Sequence, residues 1–419
     1  MCMRFITLVL LVFFCSISKG QQSDLSLIKT YIATSDSLGK AGDYKNAILF
    51  RKKALNLQQV QSPPPYEELV SNYRTIGYYY RRWGKYTDSY HYQLRAVQLA
   101  ENQLGKTHRE LAKAYNGMGG YYFGKQRFDL ANEYFQKALR ISLATHSPEI
   151  ADYYNNVGIA QQALGHSGAA MKTYQLALDH NLSTIGLYTN KTADNYDNLG
   201  TLYYNLNNLK KAIALLDTAE MILDSLYPPG SANFAGMYNN KGAVYNRMGD
   251  HRNALLYLEK SLALYEKFGS GNHPETANIY ANIGLLVQNK GDYDKALAYF
   301  RKALSIREAN FGEKNAMVAR THLYLGDCYL EKLDFEQALR EMQKCLAILS
   351  ALPQPNLPEL ADAHNSLGSY YEKIGNLDQA LRQYNLALQF NASNIENNDP
   401  DVANSYSRIG KVYLAKKDF

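Results

Sequence analysis

The chain has 419 residues, 46% of them hydrophobic and 20% charged, a balance that supports a folded core and excludes a disordered chain. Its formal charge of +6 is too small at this length to point to nucleic acid. Thirty-six tyrosines beside one tryptophan and 14 phenylalanines call for many similar half-buried positions, each with a wet hydroxyl, and a repeat would supply them.

Residues 1–20 read as an export signal. Arg4 gives a positive start, Phe5 to Phe14 is an apolar run, and Ser18 and Gly20 stand at minus three and minus one of a cleavage point before Gln21. The run falls short of the roughly 20 apolar residues that span a bilayer. The protein is therefore expected to be exported, periplasmic or extracellular, with a membrane association only if the segment stays uncleaved. Phe13 and Phe14 precede Cys15 where a lipid-attachment motif wants small residues, so Cys15 belongs to the discarded segment. Cleavage removes Arg4 and Lys19 and leaves a charge of +4. The two remaining cysteines, Cys328 and Cys345, fall at helix positions and read as separate buried thiols.

From residue 24 onward one pattern recurs. Gly77, Gly119, Gly158, Gly200, Gly242, Gly284, Gly326, Gly368 and Gly410 are spaced by 42 residues, except for one step of 39, and Ser35 lies 42 before the first. Alanine stands seven before the glycine from Ala112 to Ala403, a ring four before it (Tyr73, Tyr115, Tyr154, Tyr196, Tyr238, Tyr280, Tyr406, with His322 and His364 substituting), and often tyrosine three after. These offsets share one face of a helix. Seven after the glycine a second glycine (Gly42, Gly84, Gly165, Gly249, Gly291, Gly375) suits the left-handed end of that helix. A second helix follows, with small residues 12 and 19 after the first glycine, as in Ala254 and Ser261 or Ala296 and Ala303. Small residues on both helices allow a close crossing. Pro148, Pro274, Pro358 and Pro400 fall in the first turn of the next unit, with Ser147 and Asp399 placed as caps.

Small residues at positions eight, 20 and 27 of the unit, an aromatic at four and tyrosine at eleven resemble the tetratricopeptide repeat, in the 42-residue form found in kinesin light chains and many bacterial repeat proteins. The resemblance covers residues 24–419, as about nine full units and a truncated tenth. It departs at Ser35 and Ser89, at the shortened third linker, and at Gln126, Leu333 and Lys417, which replace the turn glycine. It implies an all-α fold, a right-handed superhelical solenoid of stacked antiparallel helix pairs. It further implies that the first helices line a concave groove that holds a peptide or partner protein.

Position six of the unit reads Asn156, Asn198, Asn240 and Asn282 in four consecutive units, preceded by Asn155, Asp197 and Asn239 in three of them. An amide donates and accepts at once, so such a column can pair with a peptide backbone of any sequence. The bland reading is a solvated helix face. Arg74 and Arg81, with Arg82, form a basic cluster that would suit an acidic partner, although a solvated face accounts for it as well. No catalytic, metal or cofactor site is expected: the histidines are scattered, His322 and His364 fill the aromatic position, and no phosphate loop or nucleophile turn is present. The tenth unit stops at Phe419 where its second helix should begin. The alternative to a stand-alone scaffold is therefore a sensory or substrate-recruiting N-terminal region of a larger enzyme, with a protease-like or signalling-kinase effector beyond that point.

Overall fold

The computed structural model describes residues 24–40, 42–125, 127–268, 274–352, 357–392 and 400–416; the export segment, Asp399, Gln126 and Lys417 lie outside them. The chain divides into two compact units between His180 and Asn181. Unit 1 holds α1 (24–40), α2 (Tyr44–Gln59), α3 (Tyr66–Arg82), α4 (Tyr86–Gln103), α5 (Arg109–Gly124), α6 (Phe128–Ala144), α7 (Ile150–Ala163) and most of α8 (Ser167–Thr184). Unit 2 holds α9 (Asn190–Asn205), α10 (Leu209–Leu226), a 3-10 turn at Ala232–Phe234, α11 (Ala235–Arg247), α12 (His251–Phe268), α13 (Pro274–Asn289), α14 (Tyr293–Phe311), α15 (Ala316–Glu331), α16 (Phe335–Ser350), α17 (Leu357–Lys373), α18 (Leu377–Ala392) and α19 (Pro400–Lys416). No strand occurs among the described residues.

Each odd-numbered helix packs against the even-numbered one that follows, and the repeating glycine sits at the crossing. A methyl group on Gly119, Gly158 or Gly284 would stand 2.5 Å from the ring of Phe135, Tyr174 or Phe300, and one on Gly242 would stand 2.6 Å from Leu258. The alanines across the crossing are wholly buried, among them Ala131, Ala170, Ala254 and Ala296, each 0% exposed. Where serine takes a small position it donates across the crossing: Ser89 Oγ to the Gly77 carbonyl at 2.8 Å, Ser35 Oγ to the Ala47 carbonyl at 2.8 Å and Ser261 Oγ to the Ala235 carbonyl at 2.6 Å. A hydroxyl thus satisfies itself on a carbonyl without widening the gap.

The turn between the helices is left-handed at one residue, as at Gly249 (φ 80°) and Gly291 (φ 81°). Asn207 (φ 57°) and Leu333 (φ 64°) take the same conformation without being glycine. The next residue caps the second helix: Asp43, Asn208, Asp292, Asp334 and Asn376 each accept from the backbone N–H three residues on. Of the expected prolines, Pro274 and Pro400 open α13 and α19, Pro358 lies in the first turn of α17, and Pro148 falls two residues short of α7, where Ser147 Oγ accepts from Glu149 N at 3.3 Å.

Tyrosine abundance has a local cause. Tyr238 and Tyr245 of α11 both flank Tyr257 of α12, at centroid distances of 5.5 and 5.6 Å, with the Lys260 ammonium 5.0 Å above the Tyr257 ring. Tyr115, Tyr122, Tyr134 and Lys137 repeat the arrangement in unit 1. Each cluster covers apolar area while its hydroxyls and ammonium remain wet. Cys328 and Cys345 are free and buried, and burial raises both thiols, Cys328 to about 11 and Cys345 to about 12.

Candidate functional site

Within unit 2, α9, α11, α13, α15 and α17 touch one another in succession, whereas no two consecutive second helices make a comparable contact. In unit 1, α3 touches α5 in the same way. First helices therefore lie side by side in each unit; Asn198, Asn240 and Asn282 stand on those of unit 2 and Asn156 on one of unit 1.

The column is self-paired across repeats. Asn240 Nδ2 donates to both carboxylate oxygens of Asp197 at 3.0 Å, and Asn282 Nδ2 donates to Asn239 Oδ1 at 2.9 Å. In unit 1, Asn156 Nδ2 donates to Asn116 Oδ1 at 2.8 Å. Position six of one first helix thus donates to position five of the preceding one. These asparagines are neither loose nor simply solvated, because each nitrogen is committed to the neighbouring helix. The side-chain oxygens of Asn156, Asn240 and Asn282 bond to no described protein group, and all three residues are half-buried. Asn198 is half-buried on the same face, and Asn155 has a polar partner of its own.

Surrounding protein changes the electrostatics of this face. Burial raises Asp197 to about 6 despite the hydrogen bond from Asn240, and Asp194 adds to the rise. Asp327 on α15 rises to about 7: burial is the main cause, Asp362 and Glu331 add to it, and a hydrogen bond from Ser366 opposes it. Both residues nonetheless keep part of their surface. Arg247 Nη1 donates to the Tyr204 carbonyl at 3.2 Å, and its guanidinium lies 5.2 Å from the Tyr204 ring. Arg320 pairs with Glu359, which holds its pKa up against desolvation. Sequence reasoning did not single out Asp327, Tyr204, Arg247 or Arg320; Tyr204 and Arg247 lie on α9 and α11 with the column, and Asp327 and Arg320 on α15, a later first helix.

Arg74 and Arg81 both lie on α3, two turns apart, and they are not a solvated face. Desolvation lowers the Arg81 pKa, and its guanidinium rests 5.4 Å from the Tyr78 ring. Arg74 Nε is shut off from solvent without a hydrogen-bond partner. Arg82 instead donates from Nε to the Tyr44 hydroxyl at 3.1 Å. At the aromatic position His322 is buried, with Nδ1 2.6 Å from Glu341 Oε2, and His364 stacks on Phe390 at 5.5 Å.

The tetratricopeptide-repeat family model matches residues 68–144, 111–183, 233–309, 279–351 and 317–393, and a second model of that repeat matches 193–222. Tetratricopeptide repeat protein 8 of Mus musculus is 34% identical over 95 residues, which is 23% of this chain and only 17% of that protein. Among solved structures, a Rap protein complexed with competence and sporulation factor superposes with a TM-score of 0.58 at 16% identity, over 93% of this chain and 98% of the other. A Rap conjugation gene regulator of the plasmid pLS20, in complex with a Phr peptide, gives 0.56 at 15% identity over 78% and 95%. At such identities the likeness is one of fold.

Proposed function

The chain belongs to the tetratricopeptide-repeat family, and from that premise we propose that it is an exported, non-catalytic scaffold holding a partner polypeptide on the inner, first-helix face of its repeats. The observation that carries this reading is the committed asparagine column. With Asn240 and Asn282 held by Asp197 and Asn239, their free oxygens stand in file, one per repeat. Packed helices are about 8–10 Å apart, and an extended peptide rises about 3.3 Å per residue, so each rung meets about every third backbone N–H. The acceptors are fixed before the ligand arrives, which reduces the entropy lost on binding. Solved structures of the same fold contain a bound competence and sporulation factor in one case and a bound Phr peptide in another.

The test begins with peptides selected from a displayed random library against residues 21–419, measured by calorimetry. Replacing Asn198 and Asn282 by alanine should weaken a selected peptide by about tenfold or more, about 1.4 kcal/mol, the worth of one or two hydrogen bonds. N-methylation of peptide amides at every third position should do the same. Unchanged affinity in both arms would remove the asparagine column from the binding face.

A further inference from the structure

The two ends of the helices in unit 1 carry opposite charge. At one end the turns that join α1 to α2, α3 to α4 and α5 to α6 stand side by side. Arg82 Nε donates to the Tyr44 hydroxyl at 3.1 Å between the first two, and the Lys125 ammonium lies 5.1 Å from the Tyr86 ring between the second and third. Residues 40–46, 82–88 and 124–130 around these turns hold six cations against three carboxylates. Asp43 is engaged with the first turn of α2 through Asn46, and Asp129 accepts from Arg127 at 3.3 Å. Lys40, Lys45, Lys85 and Lys125 are exposed, and none of them forms an ion pair among the described residues. At the other end, residues 59–68, 101–110 and 143–152, which contain the linkers between helix pairs, hold six carboxylates against two cations. The chain's one tryptophan belongs to the basic end. Trp83 follows the last residue of α3 and is 42% exposed, with its ring stacked on Tyr80 at 6.4 Å and the Lys85 ammonium 5.8 Å away.

We propose that the turn edge of unit 1 docks on an anionic membrane surface, with Trp83 at the level of the lipid headgroups and the turn lysines against their phosphates. A bilayer presents a smeared negative potential that attracts each nearby cation about equally, and the cations here are spread over three turns rather than gathered about one point. The indole has an apolar body and a polar N–H, which suits the boundary between headgroups and acyl chains. Lysine stems lie along apolar surface while their ammonium groups stay among phosphates and water. The acidic end does not cancel this attraction. The 17 residues of α3 span about 25 Å, several times the Debye length of about 8 Å at physiological ionic strength. Repulsion of that end instead orients the unit, basic turns toward the lipid. The surface lies at the helix ends and is separate from the first-helix face, so this inference does not depend on the scaffold reading.

The test sediments the full mature chain, residues 21–419, with vesicles of three parts phosphatidylcholine to one part phosphatidylglycerol, and with vesicles of phosphatidylcholine alone, while tryptophan emission is recorded. The export segment is absent from this chain and so contributes nothing to binding, and the emission reports Trp83 alone. The chain should sediment with the anionic vesicles, and its emission should shift to the blue and be quenched by lipids brominated close to the headgroup. Both effects should fade as salt is raised. Lys85→Gln/Lys125→Gln should bind about thirtyfold more weakly, about fivefold for each cation. Lys53→Gln/Lys106→Gln, the same change of charge at exposed positions away from the turns, should bind as the parent does. Trp83→Ala should weaken sedimentation, and Trp83→Phe should restore part of it. Should Trp83→Ala lower the melting temperature, the two lysine pairs decide the question alone. No sedimentation with anionic vesicles, equal sedimentation with phosphatidylcholine alone, unchanged emission on binding, or equal losses in the two lysine pairs would each overturn the proposal. So would an emission shift with soluble polyaspartate or a short DNA duplex in the absence of vesicle binding, which would assign the edge to an acidic macromolecule.

Discussion

Adding one methyl group at the repeating glycine should have opposite effects at different repeats. Gly→Ala inside a helix gains about 0.5–1 kcal/mol from backbone entropy alone. Against that gain stands the crossing. At Gly284 the new carbon would be 2.5 Å from Phe300 Cε1, and Phe300 is 0% exposed and backed by the Tyr324 ring at 5.5 Å, so it has nowhere to turn. Overpacking of a filled core costs about 1–3 kcal/mol, and the net for Gly284→Ala is a loss of about 1–2 kcal/mol. Gly200→Ala meets Leu216 Cγ at 2.9 Å and the Ala212 carbonyl at 3.3 Å, and a branched side chain yields more readily than a ring. Its net should lie near zero. At Gly410 nothing stands within 4 Å, so Gly410→Ala should keep the whole helix gain. A solenoid does not unfold as a single cooperative block, so the assay must resolve repeats. Native-state hydrogen exchange read by mass spectrometry along a urea series provides that resolution. Protection of α13 and α14 should fall by about five- to thirtyfold in Gly284→Ala, while protection of α19 should rise in Gly410→Ala. Equal signs at Gly284 and Gly410 would mean that the glycines are not there for the crossing, and the packing argument for the fold would fail.

Two further outcomes follow from single side chains. Asp327 titrates at about 7 in the folded chain, against an ordinary 3.8. The native state then binds the extra proton between those values, so this residue lowers stability as pH rises from about 4 to 7. Each pKa unit is worth about 1.4 kcal/mol, which sets a ceiling near 4. Because the side chain keeps part of its surface, Asp327→Asn should gain about 1–2 kcal/mol at pH 8 and nothing at pH 3.5. Urea titration at the two pH values checks this, and a gain that is independent of pH would refute the desolvation. Leu333 holds the left-handed turn before α16 with 63% of its surface exposed. Leu333→Gly should raise stability by about 0.5–1 kcal/mol, the strain relieved less the entropy that glycine adds to the unfolded chain; a lower urea midpoint would show that the leucine packs.

Most of the fold was legible because the constraint that makes it is periodic and local. Gly242, Ala254 and Ser261 announce a close crossing by their size alone, and Gly249 announces a left-handed turn by its place after the last helical residue. Asp292 and Asn376 lie one residue past such turns, and their capping role needs only local geometry, so the signal was present and unused. The site was less legible because it depends on which helices become neighbours. Asn156 and Asn240 stood out as a column, but Asn116 and Asp197 as their acceptors required the distance between consecutive first helices. Arg74 and Arg81 read as a solvated pair, and the Gln93 and Tyr86 side chains that pack with them against Gly117 and Gly124 are visible only once α4 and α5 come alongside. Asp327 was missed for the same reason, since part of its shift comes from the charge of Asp362 one repeat away.

An asparagine rung is neutral and already bonded to its neighbour, so it costs little when empty and discriminates weakly among peptides, whose backbones are alike. Mutating a rung should therefore weaken all partners to a similar degree, whatever their side chains, and a loss confined to peptides of one sequence class would show that the rungs do not read the backbone.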